Sequence, residues 1–250
     1  MGELLRKFGR WLMDSPSRRR VYDRAGGLIQ RHVHRVLSGP GRGLYFTGGG
    51  TPGYVLGLSE RAVQDALVEH LHRGGVFWDV GAHAGFMAVL ADRLVGPDGS
   101  VECFEPVAAN VAILERNLDA NKAPKHIHQL ALADEDGTGT MKIGAAITAS
   151  LADEGEPVRL ARGDSLEIPA PTLVKIDVEG AECRVLEGMP RLLSEQKPVL
   201  VVELHKGTGP KVREQLAAHG YSVQKLADHG GMPHLIALPA SGAARASAGG

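Results

Sequence analysis

Residues 77–85, Phe-Trp-Asp-Val-Gly-Ala-His-Ala-Gly, read as a buried strand that runs into a glycine-bearing turn. Val-Glu-Cys-Phe-Glu-Pro at 101–106 reads as a second strand ending in an acid. A turn of this kind with an acid about twenty residues further on is how an α/β sheet forms a nucleotide-type cofactor pocket, the acid meeting the ribose.

From residue 76 onward, short apolar runs alternate with amphipathic segments, which predicts βαβ units on a parallel sheet. Strands are expected at 76–80, 101–105, 127–132, 138–143, 173–177 and 199–204. Crossover helices carry the stripes Phe86, Val89, Leu90, Leu94, then Val107, Val111, Leu114, Leu118, with Pro106 as a first helical residue. Val185, Leu186, Met189, Leu192 and Leu193 stripe one later helix, and another is expected near 208–218. Tyr221-Ser-Val and His234-Leu-Ile-Ala-Leu then predict a closing antiparallel pair. The fold class is therefore α/β and Rossmann-like: a mostly parallel sheet of seven strands with helices on both faces and an N-terminal helical extension. Ser59 is placed to cap a helix that carries Ala62, Val63, Ala66, Leu67 and Leu71. Three regions follow: a basic helical extension with a Gly/Pro-rich loop at 1–58, the catalytic domain at 59–239, and a low-complexity Ala/Gly/Ser tail at 240–250, expected to be disordered.

The chain of 250 residues is 43% hydrophobic and 4% aromatic, with a net charge of -1, which gives no global attraction to nucleic acid. Ten basic residues against three acidic ones precede Gly43, so the extension alone is strongly basic. Its apolar residues Leu4, Leu5, Phe8, Trp11 and Leu12, and again Leu28, Ile29, Val33, Val36 and Leu37, predict two short amphipathic helices. A solvated face is the expected use of the charge; weak contact with an anionic membrane surface or a phosphorylated substrate is the alternative. Cys103 and Cys183 lack disulfide or zinc spacing and read as buried thiols, which fits a cytoplasmic protein. No apolar run reaches membrane-spanning length, and no signal-type leader is recognisable.

The glycine pattern selects the cofactor. A dinucleotide turn carries Gly-x-Gly-x-x-Gly, whereas residues 81–86 read Gly-Ala-His-Ala-Gly-Phe, which disfavours a nicotinamide oxidoreductase. Asp79 offers a carboxylate to an ammonium group, as an amino-acid sulfonium presents one, so the expected cofactor is S-adenosylmethionine. Its carboxylate would face the N-terminus of the helix after Gly85, and the small residues Gly81, Ala82, Ala84 and Gly85 let it approach. His83 shapes the turn and Phe86 follows it. Glu105 accepts the ribose hydroxyls, Phe104 and Pro106 shape the adenine side, and Asn110 lies one helical turn beyond. Leu132 and Asp134 stand where the adenine would be read.

Lys175, Asp177 and Glu179 alternate along one strand and meet Glu203 and His205 at the end of the next, where ligands bind in open α/β sheets. Asp177 or His205 is the candidate base, Glu179 positions substrate or cofactor, and Lys175 holds the carboxylates or polarises the acceptor. The sequence demands no metal site: strand-end oxygens could hold a magnesium ion beside a catechol or vicinal diol, but Lys175 would oppose a nearby dication, and zinc spacing is missing.

Asp-Val-Gly-Ala-His-Ala-Gly-Phe at 79–86, Phe-Glu-Pro at 104–106 with Asn110, and Leu-Val-Lys-Ile-Asp-Val-Glu-Gly-Ala-Glu at 173–182 resemble the FkbM family of methyltransferases. The likeness continues through Val185-Leu-Glu-Gly-Met189 and Val202-Glu-Leu-His205 and covers roughly residues 60–240. It implies a class I, S-adenosylmethionine-dependent O-methyltransferase acting on hydroxyls of glycans, polyketides or other secondary metabolites. Where the family often carries Thr or Ser, this chain has Ala88, which implies one hydroxyl contact fewer near the cofactor. An RNA methyltransferase and a non-catalytic S-adenosylmethionine-binding module are the other readings. The basic N-terminus favours the first of these and the scarcity of aromatics opposes it. The acceptor is expected to be a small molecule or glycan, with no nucleic acid partner.

Overall fold

A computed structural model describes residues 32–47, 52–143, 149–151, 155–205, 207–229 and 232–240. The expected helix at Leu4–Leu12 and the tail from 241 lie outside them. Strand β1 (His34–Arg35) pairs with β2 (Tyr45–Phe46), and helices α1 (Pro52–Leu56) and α2 (Arg61–His70) follow. Then come β3 (Val76–Val80), α3 (Phe86–Val95), β4 (Ser100–Phe104), α4 (Ala108–Asn121) and β5 (His126–His128). A second sheet contains β6 (Ala131–Leu132), β7 (Gly137–Ile143), β8 (Ala149–Leu151) and β9 (Glu156–Ala161). The chain returns to the main sheet through β10 (Leu173–Ile176), α5 (Glu182–Glu187), β11 (Val199–Glu203), α6 (Gly209–Ala218), β12 (Tyr221–His229) and β13 (Met232–Pro239).

The main sheet has seven strands in the order β12-β13-β11-β10-β3-β4-β5. Its centre, β11-β10-β3-β4-β5, is parallel, and β13 and β12 are antiparallel additions at one edge. Period-two alternation sends Phe77, Val101, Leu173 and Val201 to one face, under α2, α3 and α4. Trp78, Phe104, Val174, Ile176 and Val202 go to the other, under α5 and α6. Both faces are dry, as a parallel sheet requires. Helix α3 is buried almost all round, including Ala88 at 0% exposure, which is why its sequence is nearly all apolar. The expected seven-stranded, mostly parallel sheet is therefore found.

Several local expectations are corrected. The second N-terminal helix is not formed within the described residues: Val36 is buried while Val33 and Leu37 are exposed, and Val36 pairs through its backbone with Leu44 and Gly43 in an extended ribbon. Residues 34–47 and 52–56 are no mere spacer, because Val36, Leu44 and Phe46 join the main core, Tyr54 packs against it, and Val55 is buried. Ser59 does not cap α2; Glu60 stands there in the left-handed region, φ 47°, without a side-chain cap. Pro106 precedes α4 by two residues. The strand expected at 127–132 divides, because a turn closed by Leu130 N–H to His128 carbonyl (2.8 Å) sends Ala131 and Leu132 to β9 instead. The helix expected to run from Glu182 through Leu193 is interrupted after Glu187 and resumes after Pro190 as a separate helical segment, Leu192–Gln196; at the break, a side chain on Gly188 would meet the Ala133 carbonyl oxygen at 1.9 Å.

Candidate active site

The carboxyl ends of β3, β4 and β10 open into one cavity whose far wall is made by α1, the turn before α2 and Phe46 of β2. Asp79, Gly81, Ala82, His83, Gly85, Phe86, Glu105, Pro106, Asn110, Leu132, Lys175, Asp177 and Glu179 all line it. Asp134 and His205 do not. Asp134 instead accepts a 2.6 Å hydrogen bond from Arg184 on α5. Ala88 is sealed in the core, so the family's hydroxyl at that position would not touch the cavity in this chain.

Asp79 and Lys175 are register partners on adjacent strands, so both side chains reach the same face at the same level. The Lys175 ammonium lies 3.2 Å from Asp177 Oδ2, 3.5 Å from Asp79 Oδ1 and 3.3 Å from the Gly81 carbonyl. Burial opposes the Lys175 charge, but Asp177, Asp79 and Glu60 outweigh it and raise its pKa. Asp79 is only 1% exposed, and neither carboxylate oxygen receives a hydrogen bond of good geometry, Lys175 included. Burial raises its pKa to about 6 although Lys175 pulls it down. A buried, under-donated carboxylate at the mouth of a glycine turn fits an ammonium donor.

Glu105, also buried, is already well occupied. Its Oε2 accepts from His83 N–H (2.8 Å), and its Oε1 from Val107 N–H (3.0 Å) and Asn110 Nδ2 (3.1 Å). Of roughly four lone-pair positions on a carboxylate, about one remains for a ligand hydroxyl. Asn110 therefore orients the acid. The glycines serve the protein first: a Cβ on Gly85 would stand 2.2 Å from Leu114. Their positive φ angles, with that of His83 (φ 49°), shape the turn.

His205 lies behind the cavity wall. Its Nδ1 is 2.8 Å from the fully buried Glu182, and its Nε2 is 3.5 Å from Glu179, 3.6 Å from Glu203 and 4.0 Å from Asp177. The Glu182 hydrogen bond, against the opposing effect of burial, raises its pKa to about 9. At neutral pH it holds its proton and acts on Asp177 and Glu179 as a cation. Burial would raise the Asp177 pKa, but Lys175 and His205 prevail and lower it.

The sequence reading missed Phe46, Tyr54, Glu60 and Met141, all of which line the cavity. Tyr54 donates to Glu60 Oε1, and the rings of Phe46, Tyr54 and Phe86 meet with centroids 5.0–5.5 Å apart. An acid in front of an amphipathic helix was the one available signal for Glu60. Glu203 belongs to two groups of possible metal donors, one with Glu60 and His234, one with Asp177 and His205. The Lys175 charge beside Asp177 opposes a dication in the second.

The FkbM methyltransferase domain model matches residues 79–223, more than half of the chain. The hexuronic acid methyltransferase AglP of Haloferax volcanii is 32% identical over 162 residues, 61% of this chain and 65% of that protein. The 31-O-demethyl-FK506 methyltransferase FkbM of Streptomyces tacrolimicus is 29% identical over 199 residues, 61% of this chain and 75% of that one. The chain thus spans just under two thirds of AglP. Among solved structures, the FkbM methyltransferase of Methylobacillus flagellatus KT shares the fold at TM-score 0.50 and 19% identity, covering 65% of this chain and 43% of that one. A precorrin-6y C5,15-methyltransferase of Geobacter metallireducens does so at TM-score 0.51 and 18% identity, covering 73% and 90%. With the glycine turn, the strand-tip acids and the β10 motif all inside the matched segment, this chain belongs to the FkbM methyltransferase family.

Proposed function

We propose that the protein transfers a methyl group from S-adenosylmethionine to a hydroxyl of a sugar or secondary-metabolite acceptor. The observation that carries this is Asp79: a carboxylate buried beside the turn, both oxygens without a well-aligned donor, facing a cavity that also holds Glu105. The cofactor, when bound, supplies an electrophilic methyl on a sulfonium. Asp79 would take its ammonium group and Glu105, held by Asn110, its ribose. The relatives named for a hexuronic acid and for demethyl-FK506 support an oxygen acceptor.

The chain's own contribution is positioning. Alignment of two reactants is worth roughly 7–11 kcal/mol, against a factor of about 10²–10⁴ from a general base. Lys175 fixes Asp177 and neutralises the paired acids, Phe46, Tyr54 and Phe86 exclude water, and Glu179 borders the acceptor end. Calorimetric titration with S-adenosylhomocysteine, repeated on Asp79→Ala and Glu105→Ala, tests the cofactor assignment. Undiminished affinity in both variants would discard it. Methyl transfer to glucuronic acid glycosides and to a cyclohexane-1,2-diol then separates sugar from polyketide-like acceptors.

The described residues include no helix long and apolar enough to cross a membrane. A cytoplasmic location, a division between residues 58 and 59, and a small-molecule or glycan partner are parts of this proposal.

A further inference from the structure

Resting on the methyl-transfer reading above, we propose that Glu60 takes the proton of the acceptor hydroxyl, with Tyr54 holding it in place. Glu60 lies outside the matched family segment and outside every motif in the sequence. Its position follows from the sheet order. Counting from β3, which carries Asp79, the ribose acid Glu105 lies toward β4, whereas β10, β11 and β13 extend the other way. A Glu60 oxygen lies within 4.8 Å of donor atoms on Glu203, the last residue of β11, and His234 of β13. Glu60 therefore overhangs the side of Asp79 opposite Glu105. A ligand held at those two acids leaves that side for the acceptor, between Glu60, Tyr54, Phe46 and Asp177.

The carboxylate is poised on one oxygen only. Oε1 accepts the Tyr54 hydroxyl, while Oε2 is buried without a hydrogen-bond partner. The backbone at Glu60 is left-handed, φ 47°, a conformation costly for a residue with a side chain and one that collects at functional sites. Of five such non-glycine residues among those described, Glu60, His83 and Glu179 line this cavity.

The other acids have other duties. Asp79 faces the ammonium site, Asp177 is tied to Lys175 at 3.2 Å, and Glu203 lies 2.8 Å from His234. Burial raises the Glu60 pKa, opposed by Lys175 and the Tyr54 hydrogen bond and assisted by Asp177 and Glu203. Those groups, with His234 and Asp79, face Glu60 from every neighbouring strand. A raised carboxylate is the stronger base, while Lys175 keeps Asp177 the weaker one. In the step, the acceptor oxygen forms its bond to the methyl carbon as the carbon–sulfur bond breaks. The electron pair stays on sulfur as a neutral thioether, and the acceptor's proton passes to Glu60 Oε2.

The test needs no acceptor. Sinefungin carries an amine where the sulfonium methyl sits, and S-adenosylhomocysteine carries nothing there, so calorimetric titration of both reads the methyl position directly. Glu60→Gln is expected to weaken sinefungin by roughly tenfold or more, the worth of one charged hydrogen bond, with S-adenosylhomocysteine changed less than about threefold. Tyr54→Phe should show the same selectivity at smaller size, and it carries the comparison if Glu60→Gln does not fold. Equal losses for both ligands would make Glu60 a cofactor or folding residue, and an unchanged sinefungin affinity would place it away from the methyl; either overturns the proposal. So would affinities that require Mn²⁺ and vanish in EDTA, which would give Glu60, Glu203 and His234 to a cation. A wild-type chain that binds neither ligand would remove the methyl-transfer reading itself.

Discussion

A Cβ on Gly81 would stand 1.9 Å from the carbonyl oxygen of Asp177, so the turn after β3 and the end of β10 touch backbone to backbone. This contact sets the two acids of the site at a fixed separation and gives Lys175 both to bridge. The sequence explains the glycine by ligand approach; the structure shows that the protein's own backbone already requires it.

Gly81→Ala adds a clash with an atom that cannot step aside and forces a side chain onto φ 82°. Loss of at least about 2 kcal/mol of stability is expected, together with weakened S-adenosylhomocysteine binding. Urea denaturation read with calorimetry checks both; wild-type stability would mean that the two strand ends are further apart.

Lys175→Met leaves the buried Asp79 and the half-buried Asp177 without their shared cation. Removing one partner of such a group costs about 3–5 kcal/mol. Because Lys175 pulls the Asp79 pKa downward, its removal should also shift the pH midpoint of S-adenosylhomocysteine binding upward. Calorimetric titrations across about pH 5–8 measure that shift, and a fixed midpoint would show that Lys175 does not act on Asp79.

Much of this was legible. The strand ends, the glycine turn and the β10 motif announce themselves because alternation and helical stripes are local patterns, and Lys175, Asp177 and Glu105 follow from them. Glu60, Tyr54 and Phe46 were not legible, since their approach to the cavity depends on how the N-terminal ribbon folds back over α4. The need for glycine at 188 was hidden for a similar reason: the atom it makes room for is the Ala133 carbonyl, distant in sequence. The stripe through Val185 and Leu193 looks continuous, although the structure divides it between two helical segments.

Asp79 makes stability and binding oppose each other. Its pKa rises from 3.8 unfolded to about 6 folded, so between these values the folded chain binds more protons. Its contribution is fully present below about pH 4 and is lost as pH rises through about 6. Asp79→Asn should therefore raise the melting temperature of the ligand-free protein at neutral pH while lowering S-adenosylhomocysteine affinity. A variant that melts lower than wild type would contradict the buried, under-donated carboxylate.

His205 gives a second pH dependence, at higher pH. Its folded pKa of about 9 exceeds the unfolded 6.5, so its stabilisation is complete below about pH 6.5 and disappears as pH rises through about 9. Denaturation at these two values should show the decline in wild type and a flatter profile in Glu182→Gln, where the 2.8 Å partner is lost. Identical slopes would show that Glu182 does not hold the imidazolium.

Asn117, at 0% exposure, joins the N-terminal ribbon to the cofactor turn. Its Oδ1 accepts from Thr47 N–H at 2.8 Å, and its Nδ2 donates to the Thr47 and Ala84 carbonyls, each at 2.7 Å. One amide thus sets the distance between Thr47, the neighbour of Phe46, and the turn that carries His83. Asn117→Leu keeps the volume and removes all three bonds, leaving buried backbone groups unpaired at about 1–3 kcal/mol each. The main sheet does not depend on this contact, so the loss should be local: faster amide hydrogen exchange over residues 34–56, with β3, β4 and β10 protected as before. Because Tyr54 and Phe46 wall the cavity from that segment, sinefungin affinity should fall along with protection. Uniform exchange across the whole chain would instead make Asn117 a core residue with no special tie to the site.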